Sequence, residues 1–257
     1  KSLNLFKKAA EEVPAYKDFL IKHKIGVKQI KTWRDLQKVP VINKKNYLRQ
    51  YSLKDLTWKG DLKKQLVFTS TSGSTGEPFY FHRSFDLDWK TSIVHELFYN
   101  HCQYKKSEPV LVITCFGMGV WIGGIITYQA FRLLQERGYN ISLITPGINK
   151  DEIFKSLKNL GGLYKNIILA GYPPFIKDII DEAPPHGIDW KQFKVRLLFA
   201  AETFTEDFRE YVLRAVNSKN TFLDTMNIYG TADLGAMAFE TPLAILIRQL
   251  CVKNHKL

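Results

Sequence analysis

The chain has 257 residues, 45% of them hydrophobic and 13% aromatic. That content supports a substantial core, in one large domain or two subdomains, and excludes a disordered polypeptide. The formal net charge of +12 suits an anionic partner, but the lysine pairs Lys7-Lys8, Lys44-Lys45, Lys63-Lys64 and Lys105-Lys106 are scattered. They build no basic helix and no aromatic-interleaved patch, so a solvated surface is expected rather than nucleic-acid binding.

No uninterrupted apolar run reaches the roughly 18–20 residues of a membrane span. Residues 3–19 are broken by charges every few positions and read as neither a signal peptide nor a span. A cytoplasmic location is the expectation. Cys102, Cys115 and Cys251 are odd in number, widely spaced and without a CxxC pair. They read as reduced, mostly buried thiols. No feature bears on oligomeric state.

In chain order, residues 3–24 carry apolar positions at Leu3, Phe6, Ala10, Val13, Phe19 and Leu20, interrupted by Pro14. This predicts two short helices meeting at Val13-Pro14. Residues 33–36 form a further short helix with Thr32 as cap, and Asn43 caps another through Tyr51. Leu66-Val67-Phe68 and Phe79-Tyr80-Phe81 are strands around a tight loop. Ser84 caps a helix with Phe85, Trp89, Ile93 and Leu97 on one face. Residues 110–115 are a buried strand and residues 125–134 a helix. Strands follow at 141–144, 166–170 and 195–200. Helices follow from Asn149 to Leu160, over 173–180, and over 205–216 with Phe208, Val212 and Ala215 inward. A strand begins at Phe222-Leu223, and residues 242–250 are an apolar helix or strand. The βαβα alternation predicts an α/β fold with a largely parallel central sheet flanked by helices. An N-terminal helical segment (residues 1–60) precedes an α/β region (residues 61–257). Ligands in such folds gather at the carboxyl ends of the strands.

The loop Thr69-Ser70-Thr71-Ser72-Gly73-Ser74-Thr75-Gly76-Glu77-Pro78 holds six hydroxyl residues and two glycines between strands. Glycines let several backbone N–H groups converge on one point, and hydroxyls add donors. That chemistry suits a phosphate chain, although a Ser/Thr/Gly-rich hairpin loop without a ligand has the same composition. A Walker-type loop requires a Lys after its second Gly and then a helix, and Glu77-Pro78 stands there instead. Gly73-Ser74-Thr75-Gly76 also fits the GxxG of KH domains, but that loop joins helices and is usually basic. Further along, Phe116 to Gly124 contains four glycines between bulky apolar residues, a pattern that lets backbone press against a flat ligand or simply packs a helix on a strand.

Thr71-Ser72-Gly73-Ser74-Thr75-Gly76-Glu77-Pro78 resembles the phosphate loop of adenylate-forming enzymes, the acyl-CoA synthetase superfamily, and within it phenylacetate–CoA ligase-like proteins. Val13-Pro14-Ala15-Tyr16 resembles a segment near the start of those proteins, which implies a nearly complete natural N-terminus. Ala200-Ala201-Glu202-Thr203 resembles the turn that lies against adenine, with Ala200 and Thr203 replacing its Gly and Pro. Asn227-Ile228-Tyr229-Gly230-Thr231-Ala232-Asp233 resembles the segment in which a Tyr stacks on adenine and a Glu holds Mg²⁺. Asp233 takes the place of that Glu, one methylene shorter but still a hard oxygen ligand. Phe79 stands where the wider superfamily often has Lys.

The resemblance, from about Phe6 to Glu240, implies ATP-dependent activation of a small carboxylic acid to an acyl-adenylate, then transfer to the thiol of coenzyme A. It places ATP on Thr71, Ser72, Gly73, Ser74, Thr75, Gly76, Ala201, Glu202, Asn227, Tyr229, Gly230 and Thr231. Thr75 and Asp233 are implied as catalytic, with Mg²⁺ on Asp233. The acid is implied to lie on Phe116, Met118, Trp121 and Gly124. The family's ribose-binding Asp and the Lys of its mobile C-terminal lid domain have no match here. The expectation is an N-terminal part of a ligase, inactive alone. The alternatives are a non-catalytic nucleotide- or acyl-binding module and an acyl-protein synthetase.

Overall fold

In a computed structural model, residues 1–63, 66–71 and 78–254 are described. They form two compact units, Lys1–Leu66 and Val67–Leu257.

In the first unit, α1 (Ser2–Glu12) and α2 (Pro14–Lys22) meet at Val13, and Pro14 takes the first helical position, where its missing N–H costs nothing. Phe6, Ala10, Leu20 and Ile30 form one small core, and Ala15, Phe19 and Tyr47 a second. Tyr16 meets the rings of both Phe6 and Tyr47 edge-on at 6.1 Å. The short helices expected at residues 33–36 and after Asn43 tighten into 3₁₀ turns, Asp35–Lys38 and Leu48–Gln50. Side chains set the turns leading into them. The Asp35 carboxylate accepts from the N–H groups of Lys31 and Thr32, and Asn43 Oδ1 accepts from those of Lys45 and Asn46.

The second unit opens with an antiparallel hairpin, β1 (Val67–Ser70) and β2 (Tyr80–Arg83). Then follow α3 (Phe85–His101), β3 (Val110–Cys115), α4 (Ile122–Glu136), β4 (Ile141–Ile144) and α5 (Lys150–Ser156). A wider π turn, Leu157–Gly161, leads into a single turn, α6 (Gly162–Tyr164). The remainder is β5 (Asn166–Gly171), α7 (Pro173–Glu182), β6 (Lys194–Ala200), α8 (Glu206–Ala215), β7 (Thr225–Thr231), β8 (Gly235–Phe239) and α9 (Pro242–Lys253). No helix among the described residues is long and apolar enough to cross a membrane.

Six strands form one sheet in the order β4-β3-β5-β6-β7-β8. Every pairing is parallel except β7 with β8. Alternation along the strands feeds two cores. Leu111, Ile113, Leu169 and Leu197 meet α5, α7 and α8 on one face. Val110, Val112, Ile168 and Leu198 meet α3 and α4 on the other. The fold is therefore α/β with a largely parallel sheet between helices.

Three local expectations need correction. Phe85, Trp89 and Ile93 face outward, at 60%, 41% and 39% exposure. The buried side of α3 is instead Asp88, Thr91, Ser92, His95, Phe98 and Tyr99. Asp88 can turn inward because Arg83 of β2 meets it at 2.5 Å. Trp89 can face outward because the Arg137 guanidinium covers its ring at 4.9 Å. Ala215 is exposed, and the buried face of α8 is Glu206, Arg209, Val212 and Leu213. Phe222 and Leu223 lie in a turn whose N–H groups donate to Asn220 Oδ1, so the strand starts at Thr225.

Candidate active site

The sheet order reverses direction between β3 and β5, and loops at the carboxyl ends of the parallel strands surround two adjoining hollows. The first is a cavity of about 250 Å³ between α3, α4 and the ends of β6 and β7. Phe116, Ile122, Gly123 and Ile126 supply an apolar wall, Ala200 and Ile228 a floor, and Thr91 and His95 enter from α3. The second is a slot of about 200 Å³ between the turn Ala201-Glu202-Thr203 and the β7 segment from Asn227 to Gly230. Ala201, Ile228 and Gly230 border both.

Side chains fix the slot. Ala201 adopts φ +77°, a left-handed conformation that costs a non-glycine residue about 1 kcal/mol or more and gathers at ligand sites. Asn227 Nδ2 donates to the Glu202 carbonyl at 3.0 Å, tying the turn to β7. The Asn227 backbone N–H donates to Glu240 Oε2 at 3.0 Å. Asn227 Oδ1 is buried without a hydrogen-bond partner among the described residues. Tyr172, at the end of β5, donates its hydroxyl to Glu202 Oε2. Tyr229 stands 64% exposed along the slot.

Beyond Gly230 the chain turns through Thr231, Ala232 and Asp233 into β8. The Thr231 hydroxyl donates to Asp233 Oδ1 and accepts from the Leu234 N–H, which sets the turn. Gly235 completes it at φ +69°. Asp233 is exposed. Among the described residues no group of three His, Cys, Asp or Glu side chains gathers to hold a metal alone. One exposed carboxylate beside a hydroxyl does fit Mg²⁺, which takes one or two carboxylates and completes its shell with phosphate oxygens and water.

The glycine-hydroxyl loop closes at its base. The Thr71 N–H donates to the Phe79 carbonyl at 3.1 Å, and Thr71 Oγ1 accepts from the Phe79 N–H at 3.1 Å. Ser70 N–H donates to the Val120 carbonyl, fastening the hairpin to the loop after β3. Ser72, Gly73, Ser74, Thr75 and Gly76 lie outside the described residues.

Of the residues expected around the acid, Phe116 lines the cavity. Met118, Trp121 and Gly124 do not border it. Gly124 is a close-packing position instead: a Cβ there would stand 2.4 Å from the Gly117 carbonyl oxygen and 2.6 Å from Met118 Sδ. The Trp121 ring lies against Gly117. The residues that do line the wall, Ile122, Gly123, Ile126 and Thr127 on α4 with Thr91 and His95 on α3, escaped sequence reasoning. Only the helical spacing of Thr91 with His95, and of Ile122, Gly123 and Ile126, could have signalled them.

No protein-family model and no curated protein matches the chain. Solved structures do. An open conformation of 2-hydroxyisobutyryl-CoA ligase in complex with 2-HIB-AMP and CoA matches at 16% identity and TM-score 0.68, over 90% of this chain and 52% of that one. The same ligase in its thioesterification state, with 2-HIB-AMP and CoA, matches at 16% identity and TM-score 0.68, over 90% and 47%. Its postadenylation state with R3-HIB-AMP matches at 14% identity and TM-score 0.66, over 90% and 47%. The chain shares its fold with these ligase structures. The chain spans about half the length of the solved ligases it matches.

Proposed function

We propose that this chain is the nucleotide- and acid-binding N-terminal part of an ATP-dependent acid–thiol ligase of the phenylacetate–CoA ligase-like kind. The observation that carries the reading is the Asn227 slot on this fold. A buried, unpartnered acceptor costs about 1–3 kcal/mol, and the exocyclic amino group of adenine would donate to Asn227 Oδ1. Guanine presents a carbonyl at that position, so the slot favours ATP over GTP. Ala201 and Glu202 frame the base from one side, and Tyr229 and Gly230 from the other. Thr71 with Ser72, Gly73, Ser74, Thr75 and Gly76 would hold the phosphates, with Thr231 beside them.

The acid carboxylate would sit where the cavity meets the slot, at Ala201 and Gly230. A carboxylate oxygen attacks the α-phosphorus of ATP, the bond to pyrophosphate breaks, and acyl-adenylate forms. The thiol of coenzyme A then attacks the acyl carbonyl and AMP departs. Asp233 and Thr75 would hold Mg²⁺, which neutralises charge on the phosphate oxygens. The other half of such a ligase would supply the ribose contact and the lid that excludes water. A non-catalytic nucleotide-binding module is the second reading, favoured by Phe79 in place of a Lys and Asp233 in place of a Glu.

A thermal-melt titration with Mg·ATP, and Mg·GTP as control, tests the proposal. Binding to the folded state alone adds about 2.7 kcal/mol of stability at a hundredfold excess over Kd. An ATP-selective rise in Tm that Asn227→Leu abolishes is the expected result. Equal shifts with GTP, or none at millimolar ATP, would sink the slot assignment. Pyrophosphate exchange by this polypeptide alone, at the rate of a complete ligase, would refute the half-ligase reading.

A further inference from the structure

The cavity beside the nucleotide slot is apolar over most of its wall, and no acidic side chain is among its described lining residues. Four polar side chains break that wall, Thr127 from α4, Thr231 from the end of β7, and two from adjacent turns of α3. His95 and Thr91 are each only 2% exposed. Their chemistry is fixed by one contact: His95 Nδ1 lies 2.9 Å from the Thr91 carbonyl oxygen. A carbonyl only accepts, so Nδ1 carries the proton. Burial pushes the imidazole pKa down to about 4, which keeps the ring neutral at physiological pH. Nε2 is therefore a lone-pair acceptor. The Phe131 ring, edge-on at 5.1 Å, packs against the imidazole.

Neither His95 Nε2 nor Thr91 Oγ1 has a hydrogen-bond partner among the described residues. Buried polar side chains are almost always paired, and a pair of orphans one helical turn apart on a cavity wall signals a missing partner. The partner must donate to Nε2. It can accept from the threonine hydroxyl. It must also be neutral, because the cavity offers no counter-charge for an ammonium group and a carboxylate would face the Nε2 lone pair. A ketone or ether lacks the donor.

Resting on the ligase reading, we propose that His95 and Thr91 form a hydroxyl-recognition subsite, so that the acid this enzyme activates carries an alcohol or phenol on its acyl group. That hydroxyl donates to His95 Nε2 and accepts from Thr91 Oγ1. The cavity, about 250 Å³, lies below the roughly 300–1,000 Å³ of drug-sized pockets, which fits a short or single-ring acyl group.

The test is calorimetric titration of the full chain with matched acids, with and without Mg·ATP. The pairs are phenylacetate with its 3- and 4-hydroxy forms, isobutyrate with 2- and 3-hydroxyisobutyrate, and butyrate with 3-hydroxybutyrate. Wild type, Thr91→Val and His95→Phe are compared. At least one hydroxylated acid should bind about tenfold or more tighter than its deoxy partner, the value of one well-made hydrogen bond against an unpaired group. Both substitutions should erase that preference. Thr91→Val nearly conserves shape and removes only the hydroxyl, so it decides the matter if His95→Phe does not fold. Equal affinity within every pair, or a preference that survives Thr91→Val, overturns the subsite while leaving the ligase reading intact. A hydroxyl preference without ATP binding would keep the subsite and remove the ligase reading. Failure of every acid to bind while Mg·ATP binds would remove the subsite and the cavity's role as an acid pocket.

Discussion

A methyl group on Gly230 would stand 2.5 Å from the Gly235 carbonyl oxygen, across the bulge where β7 and β8 shift register. No side-chain rotation relieves a clash with backbone. Gly230→Ala should therefore cost about 1–3 kcal/mol of stability, read by denaturant unfolding. It should also abolish any ATP-induced rise in Tm, because the same residue borders both hollows. Tyr229-Gly230 stood out only through the family resemblance, and the close approach of strands gives a physical reason for the glycine alone. His95 was not legible, since a histidine inside a helix says nothing about which way the helix turns. Its titration offers a direct reading of its environment. The folded-state imidazole titrates at about 4, against 6.5 for the free side chain. Above pH 6.5 both states are neutral and His95 contributes no pH dependence. Between 6.5 and 4 only the unfolded chain takes up the proton, so stability falls with falling pH across that window and levels off beneath it. The full drop is about 3 kcal/mol. Unfolding free energies measured from pH 7 to pH 4 should show a shallower slope for His95→Phe than for wild type. Parallel slopes would mean that the imidazole is hydrated.

Elements were legible where a single side of the physics decided them. The strand over residues 110–115 is an apolar run with every residue buried, and it forms with those boundaries. The face of α3 was misread because over its first turns the inward side is polar (Asp88, Thr91, Ser92, His95) while Phe85, Trp89 and Ile93 point outward, and only Phe98 and Tyr99 bury apolar rings. A buried ion pair with β2 and a cavity wall, neither visible from spacing, turn it round. The end of the second unit is a similar case. Arg209 of α8 is fully buried and meets Glu206 at 3.0 Å, Glu240 at 2.7 Å and the Thr225 hydroxyl at 2.5 Å. Arg248 of α9 contacts the same two carboxylates and the Phe204 carbonyl. Glu240 in turn holds the Asn227 backbone, so the network sets the slot's geometry from behind. Arg209→Met leaves buried carboxylates short of a partner and should cost about 3 kcal/mol or more. Arg248→Ala removes only the half-exposed member. Hydrogen exchange should then accelerate along α9 while β5 and β6 keep their protection, and uniform acceleration would show that the latch is not local.

At the scale of the whole molecule, the order of the loops along the chain carried the reading further than any loop by itself. Alternating strands and helices place the ends of β3, β6 and β7 on one side of a parallel sheet, so segments separated by more than 80 residues in sequence (Phe116 and Ala201) share one cavity. The net charge of +12 acts at this same scale. Among the described residues six lysines are tied to carboxylates, among them Lys22 with Asp18, Lys90 with Asp86, Lys155 with Glu152 and Lys177 with Asp181. Such exposed pairs contribute little to stability. The remaining field attracts anions without selecting a polymer. Two salt titrations separate these roles. If the charge serves a nucleotide, ATP affinity falls only a few-fold between 50 and 200 mM salt. Retention of single-stranded DNA then shows a slope in log K against log salt of about −1 or less in magnitude, since each phosphate neutralised contributes about −0.7. A slope near −5, with tight binding at 50 mM, would mean about seven phosphates neutralised at once, and would make the basic surface a nucleic-acid track rather than a solvated face.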